Sequence, residues 1–135
     1  MNTYYFYDNN FINTDIYKTY IEENPGIGNL KIRAYAANSA IPIKGLKIVV
    51  SKIIDNNNII FFEGYTDSSG IIEKISLPAP KQNLDNMIKP NNIIYTITAT
   101  YIPDNTIENF QARIYDGVCV IQDINIVPKM IVGGF

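Results

Sequence analysis

The sequence predicts an all-β fold, a single seven-stranded antiparallel sandwich led by an extended N-terminal arm. Three observations predict it. Apolar and polar residues alternate with period two in several short runs rich in Ile, Val, Thr and Tyr, as half-buried strands require. Asp, Asn, Gly and Pro punctuate those runs at short intervals, the spacing of a sandwich. No stretch sustains the apolar periodicity of an amphipathic helix. With 135 residues and 47% hydrophobic content, the chain is sized for one domain with its own core.

The chain begins MNTYYFYDNNF, five aromatic rings in its first eleven residues. Polar residues separate further apolar ones as far as Ile21, a pattern that reads as an extended arm over 1–28. The sandwich follows over 29–128. LKIRAYAA (30–37) sets Leu30, Ile32 and Ala34 on one face and Lys31, Arg33 and Tyr35 on the other. LKIVVSKII (46–54) repeats the device, with Leu46, Ile48 and Val50 inward. The Asn run 56–58 makes a turn, and IIFFEGYT (59–66) forms the next strand. TDSSG places Gly70 where a tight turn needs positive φ. IIEKISLP (71–78) is closed by the PAP stretch at 78–80, because proline cannot donate to a sheet ladder. A polar loop spans 81–92, and IIYTITATY (93–101) is a strand. Finally QARIY (111–115) and VCVIQDINIVP (118–128) flank Asp116-Gly117, a hairpin signal. The predicted core is Leu30, Ile32, Leu46, Ile48, Val50, Phe61, Ile75, Leu77, Tyr95, Ile97, Ala99, Ile124 and Ile126. Residues 129–135 form a C-terminal tail.

Charge and composition exclude several classes. A net charge of −2 and a pI near 5.0 leave no basic stripe for phosphates, so no nucleic-acid partner is expected. No apolar run approaches the roughly 18 residues of a membrane span, and no basic segment with an apolar stretch opens the chain as a secretory signal would. The expected route is therefore synthesis in the cytosol, with release to a spore or cell surface, or into a virion. Cys119, the only cysteine, has no partner for an internal disulfide and reads as a small buried hydrophobe.

Catalysis finds little footing. The chain has no histidine, the commonest general base and a usual zinc ligand. Neither a nucleophile elbow nor a phosphate-binding loop is present. Glu63, Asp67, Glu73 and Asp116 fall at turns or strand faces as solvated carboxylates. Asp55-Asn56-Asn57-Asn58 and Asp67-Ser68-Ser69-Gly70 cluster oxygens, but they lack the further carboxylates of a calcium loop. The expectation is thus no enzyme, with no catalytic residue, no cofactor and no metal.

The succession GNLKIRAYAANSAIPIKGLKIVV, GYTDSSGIIEKISLPAP, YTITATYIP and YDGVCVIQDINIVP resembles the carboxypeptidase regulatory-like, transthyretin-like β-sandwich family over about 28–128. Within that family it looks most like modules of clostridial spore-associated proteins. The PIKG turn, the TDSSG turn, the LPAP ending and the DG pair carry the likeness. The resemblance implies a seven-stranded Ig-like sandwich serving as a structural, adhesive or spacer module. Sandwiches of related appearance can carry a Lys–Asn isopeptide bond. Lys31, Asn125 and Glu73 are the set to consider, although alternation points Lys31 outward.

The function expected is a structural subunit that assembles head to tail into a bacterial surface fibre of the spore-appendage kind. Its partners would be copies of itself, with spore-coat or cell-surface components beyond them. The arm supplies the expected contact: Tyr4, Tyr5, Phe6, Tyr7, Phe11, Ile12, Ile16, Tyr17, Tyr20 and Ile21 would dock on a neighbour by strand addition. Met130, Ile131, Val132 and Phe135 of the tail form a second apolar end. The alternatives are a decoration or adhesion protein of a phage or phage-tail-like particle, and a module that binds peptidoglycan or other carbohydrate.

Overall fold

The chain is described by a computed structural model over residues 1–36, 40–82 and 91–127. Nine strands and two short helices appear there in the order β1 (Thr3–Tyr5), α1 (Asn9–Ile12), α2 (Asp15–Glu23), β2 (Gly26–Ala36), β3 (Ile41–Pro42), β4 (Lys47–Ile54), β5 (Asn57–Tyr65), β6 (Ile71–Ala79), β7 (Ile93–Tyr101), β8 (Thr106–Ile114) and β9 (Cys119–Asn125). Two sheets face one another. The larger has the order β1-β5-β4-β7-β8. In the smaller, β2 is central, with β6 and the short β3 on one side and β9 on the other.

The all-β sandwich expected from alternation is what the chain forms, and all thirteen predicted core residues are buried. Turn chemistry holds at three places. Asp55 and Asn56 take left-handed φ between β4 and β5, one residue earlier than the expected 56–58 turn, with Asn57 and Asn58 opening β5; Gly45 (φ 77°) turns the PIKG segment, and Gly70 (φ 76°) turns TDSSG. The Asp67 carboxylate accepts the backbone N–H groups of Ser69 and Ile71, which fixes that last turn. Thr66 is buried at the same end. Its hydroxyl donates to the Ile43 carbonyl at 2.6 Å and accepts the Leu46 N–H at 3.0 Å, tying β5 to the turn before β4.

Several expectations are corrected. The N-terminal segment is not an extended arm. β1 lies parallel to β5, with Tyr4 opposite Ile59, and the chain then turns into the two helices. Asp8 caps α1, while the Thr14 hydroxyl caps α2 by accepting the Tyr17 N–H. The domain boundary at residue 28 also fails, since β2 starts at Gly26 and the preceding segment supplies core residues. Asp116-Gly117 joins no hairpin. β8 pairs with β7 in one sheet, whereas β9 runs parallel to β2 in the other. The pair is instead a crossover between layers, in which the Asp116 carboxylate accepts the Ile27 N–H at 3.1 Å. Two pairings are parallel, so the sandwich is not wholly antiparallel. Cys119 is exposed on β9 rather than buried. Lys31 does point outward, to an ion pair with Glu73 at 3.4 Å. The register sets Lys31 beside Ile121 and Asn125 beside Tyr35, four residues further along.

Candidate interaction surface

The aromatic residues of the N-terminal segment divide into two groups. Phe6 and Phe11 are fully buried and Tyr20 nearly so. Phe6 is the hub: its ring stacks on Phe61 at 4.4 Å and meets Tyr17, Tyr20 and Phe11 at 4.9–5.9 Å. Tyr4, Ile16, Tyr17 and Ile21 pack partly buried around this cluster, and Ile12 is half-buried. β1 with its two helices therefore closes the side of the sandwich where the edges of β5 and β6 would otherwise gape. Burying each such ring stabilises by about 1.5–3 kcal/mol, so the shelter expected on a neighbour exists at home. As docking residues, Phe6, Phe11 and Tyr20 are corrected: their surface is consumed inside their own fold. Met130, Ile131, Val132 and Phe135 lie outside the described residues.

A polar relay runs through this core. The Tyr20 hydroxyl donates to the Tyr95 hydroxyl at 2.8 Å, which donates to the Pro78 carbonyl at 2.5 Å. Burial away from water disfavours both phenolates and raises both pKa values. The relay joins α2, β7 and β6 across the core.

The remaining aromatics gather outside. Tyr5 (51% exposed), Tyr7 (61%) and Tyr65 (56%) rim a groove of about 410 Å³ over Ile60, Phe61, Phe62 and Glu63. The Tyr5 hydroxyl donates to Glu63 Oε2 at 3.1 Å, a bond that raises the Tyr5 pKa, and Lys47 Nζ lies 3.6 Å from Glu63 Oε1. The sequence reading took Glu63 for a solvated carboxylate and did not select Tyr65, Phe62 or Lys47. Tyr7 also borders an apolar cleft of about 230 Å³ between the end of α2 and the Leu77–Pro78 stretch of β6.

The groove marks an unfinished sheet edge. β1 covers β5 only from Asn58 to Ile60, and the last strand-like bond is from the Phe6 N–H to the Ile60 carbonyl at 2.8 Å. Beyond it, residues 61–65 of β5 pair with β4 on one side but have no strand on their outer side among the described residues. At the far side of the same sheet, β8 pairs with β7 through nine uninterrupted positions and likewise has no outer neighbour among them.

Edge strands invite further pairing unless lysine, proline or a bulge blunts them. β6 carries Lys74 and Pro78 and opposes a register break in β2. β9 is short, and its Asp123 is held by Arg33 at 2.7 Å, a partnership that lowers the Asp123 pKa. Neither β8 nor residues 61–65 contain a lysine or a proline. The open edges of the larger sheet lack lysine and proline, although residues 61–65 begin at a register shift against β4 and carry Glu63, and β8 carries Glu108 and Arg113.

No protein-family model matches this chain, and no curated protein sequence matches it. Among solved structures it is similar to the 5-hydroxyisourate hydrolase of Klebsiella pneumoniae, at 14% sequence identity and a TM-score of 0.47, over 73% of this chain and 90% of that one. Such a likeness concerns fold alone, and the all-β sandwich rests on the chain's own strand order and pairing. The expectation that the chain is no enzyme is nonetheless corrected. That structure is a hydrolase, so a sandwich of this type is no ground for excluding catalysis. Its activity is not carried over to this chain. Among the described residues, no helix is long and apolar enough to cross a membrane.

Proposed function

We propose that this chain is a structural subunit that assembles head to tail with copies of itself into a fibre, of the kind displayed on a bacterial or spore surface. One observation carries the reading. The larger sheet ends in two different edges with no outer strand among the described residues, β8 on one side and residues 61–65 of β5 on the other. Joining unlike edges is a heterologous contact, which leaves both edge types free at the ends of every assembly and so propagates. The surface and spore setting is supported by the sequence resemblance alone.

The test compares the chain with Tyr65→Lys and Ile107→Lys variants by sedimentation velocity and electron microscopy. Both positions are exposed, on β5 and β8 respectively. Wild type should sediment as a concentration-dependent series and form filaments. Each lysine variant should stay monomeric with an unchanged melting temperature. A wild-type chain that remains monomeric at all concentrations refutes the reading.

The three exposed tyrosines around Glu63 and Lys47 favour a second reading, a saccharide site. Phenol rings stack on the apolar faces of sugars, while a carboxylate and an ammonium bond the hydroxyls. With no tryptophan in the chain, quenching of tyrosine fluorescence on titration with peptidoglycan fragments or other oligosaccharides reads this directly. Loss of quenching in Tyr65→Ala would support it.

A further inference from the structure

We infer that Asp116-Gly117 is a latent site of isoaspartate formation, locked in the folded chain by the backbone of Ile27 and released when the start of β2 comes away.

The chemistry begins in the sequence. Asp116-Gly117 is the only place in the chain where an Asp or Asn precedes a Gly. A side chain on the following residue hinders its amide from turning back, and glycine has none. The Gly117 amide nitrogen can therefore attack the side-chain carbonyl carbon of Asp116. A C–N bond forms, the nitrogen gives up its proton and the carboxyl gives up its hydroxyl, and the two leave as water. Water then adds back to either carbonyl of the five-membered imide. Opening on one side restores Asp116. Opening on the other carries the main chain through the side-chain carbonyl and leaves isoaspartate. No co-reactant other than water is needed.

Burial does not protect the pair. Gly117 is exposed and Asp116 half-buried. They are the central residues of a turn that the Val118 N–H closes on the Tyr115 carbonyl at 3.2 Å, with Gly117 at φ 75°. A methyl group on Gly117 would meet nothing within 4 Å, so crowding gives no shelter either.

Hydrogen bonding supplies the lock. The Asp116 carboxylate accepts the Ile27 N–H through Oδ1 at 3.1 Å, and the Gly117 N–H donates to the Ile27 carbonyl at 2.9 Å. Both reacting groups are thus committed to one residue of β2, and closing the imide turns each of them away from it. The rate then scales with the small population in which the start of β2 is open. Gly26 makes the lock possible: a Cβ there would lie 2.5 Å from the Asp116 Cγ and 2.6 Å from its Oδ1. Just beyond the turn, the Asn29 N–H donates to the Val118 carbonyl at 2.9 Å, and β9 follows β2 from the Asn29–Cys119 pair onward. Isoaspartate inserts an extra main-chain carbon ahead of that register, so it loosens β9 from β2 and prevents the lock from closing again.

The test incubates native and guanidinium-unfolded full-length chain in heavy-oxygen water, followed by peptide mapping with electron-transfer fragmentation to identify isoaspartate. Each hydrolysis of the imide leaves one heavy oxygen at residue 116. The native chain should accumulate isoaspartate at least about tenfold more slowly than the unfolded chain. Gly26→Ala, which pushes the carboxylate off Ile27, should raise the native rate at least about threefold while the melting transition persists. Asp116→Asn gives an independent reading should Gly26→Ala fail to fold. Its side-chain oxygen can still accept the Ile27 N–H, and its loss of ammonia, read as a mass gain, should likewise be at least about tenfold slower in the native state. Equal native and unfolded rates, in wild type or in Asp116→Asn, overturn the lock. A folded Gly26→Ala chain that keeps the wild-type rate overturns the part given to the Asp116–Ile27 bond. Absence of isoaspartate from the unfolded chain overturns the site itself.

Discussion

Replacing Phe6 with Ala tests whether the N-terminal segment belongs to the core of its own chain. Phe6 has no exposed surface, stacks on Phe61 and touches four further rings. Removing a buried phenyl ring costs about 3–5 kcal/mol, the transfer energy of the ring plus the cavity it leaves. Against a total stability of about 5–15 kcal/mol for a domain, that is a large fraction. At roughly 3–4 °C per kcal/mol for a chain of this size, the melting temperature should fall by about 9–20 °C. Thermal and urea denaturation followed by circular dichroism measure both quantities. Tyr65→Ala, at an exposed position, is the control and should move stability by no more than about 0.5 kcal/mol. If Phe6→Ala melts within about 2 °C of wild type, the ring is not buried at home, and the separation of a structural cap from an assembling sheet is wrong.

Further outcomes follow from single sites. Thr66→Val leaves the Leu46 N–H without its acceptor and should destabilise by about 1–3 kcal/mol, with Thr66→Ser recovering most of the loss in the same urea titration. Gly45 and Gly70 have nearly the same positive φ, but a methyl group at Gly45 meets nothing, whereas one at Gly70 would lie 2.4 Å from the Ala34 carbonyl oxygen. Gly45→Ala should therefore cost about 1 kcal/mol and Gly70→Ala about 2–4 kcal/mol, and equal losses would contradict the packing of that turn. Tyr20 and Tyr95 have pKa values raised above 10.0, chiefly by burial. Their contribution to stability is present in full below pH about 10 and is lost as pH rises from there toward the folded values. Phenolate absorbance should accordingly show the exposed tyrosines ionising first, with the last two appearing only as the circular dichroism signal of the fold disappears.

What the sequence disclosed follows from where the controlling interactions lie. Alternation is local, so the inward residues of 30–37, 46–54 and 93–101 were legible, as was the turn role of Gly70. The N-terminal helices were hidden by brevity. α2 has only nine residues, and its signal is Thr14 as cap with Ile16, Tyr17, Tyr20 and Ile21 at i, i+1, i+4 and i+5. The same residues fit an extended aromatic arm when read one by one. Asp116-Gly117 misled for a different reason: dipeptide chemistry specifies a tight turn but not which strand follows. Here β9 crosses to the other sheet, where its Ile124 and Ile126 complete the core. The tyrosine groove was beyond reach, because it joins Tyr5 and Tyr7 to Tyr65 through a parallel pairing that no local pattern encodes.

The proposed assembly depends on the position of the cap. Had β1 run the full length of β5, that edge would be closed and only β8 would remain, so two copies could pair β8 to β8 and stop as a dimer. Instead β1 is three residues long, and after Phe6 the chain leaves the edge to fill the gap between the sheets. Burying Phe6 thus has two consequences: it secures the core around Phe61, and it abandons residues 61–65. Closing the core at one end of a sheet while leaving its edge half-covered makes the two ends unlike, which is the condition the proposed head-to-tail assembly requires.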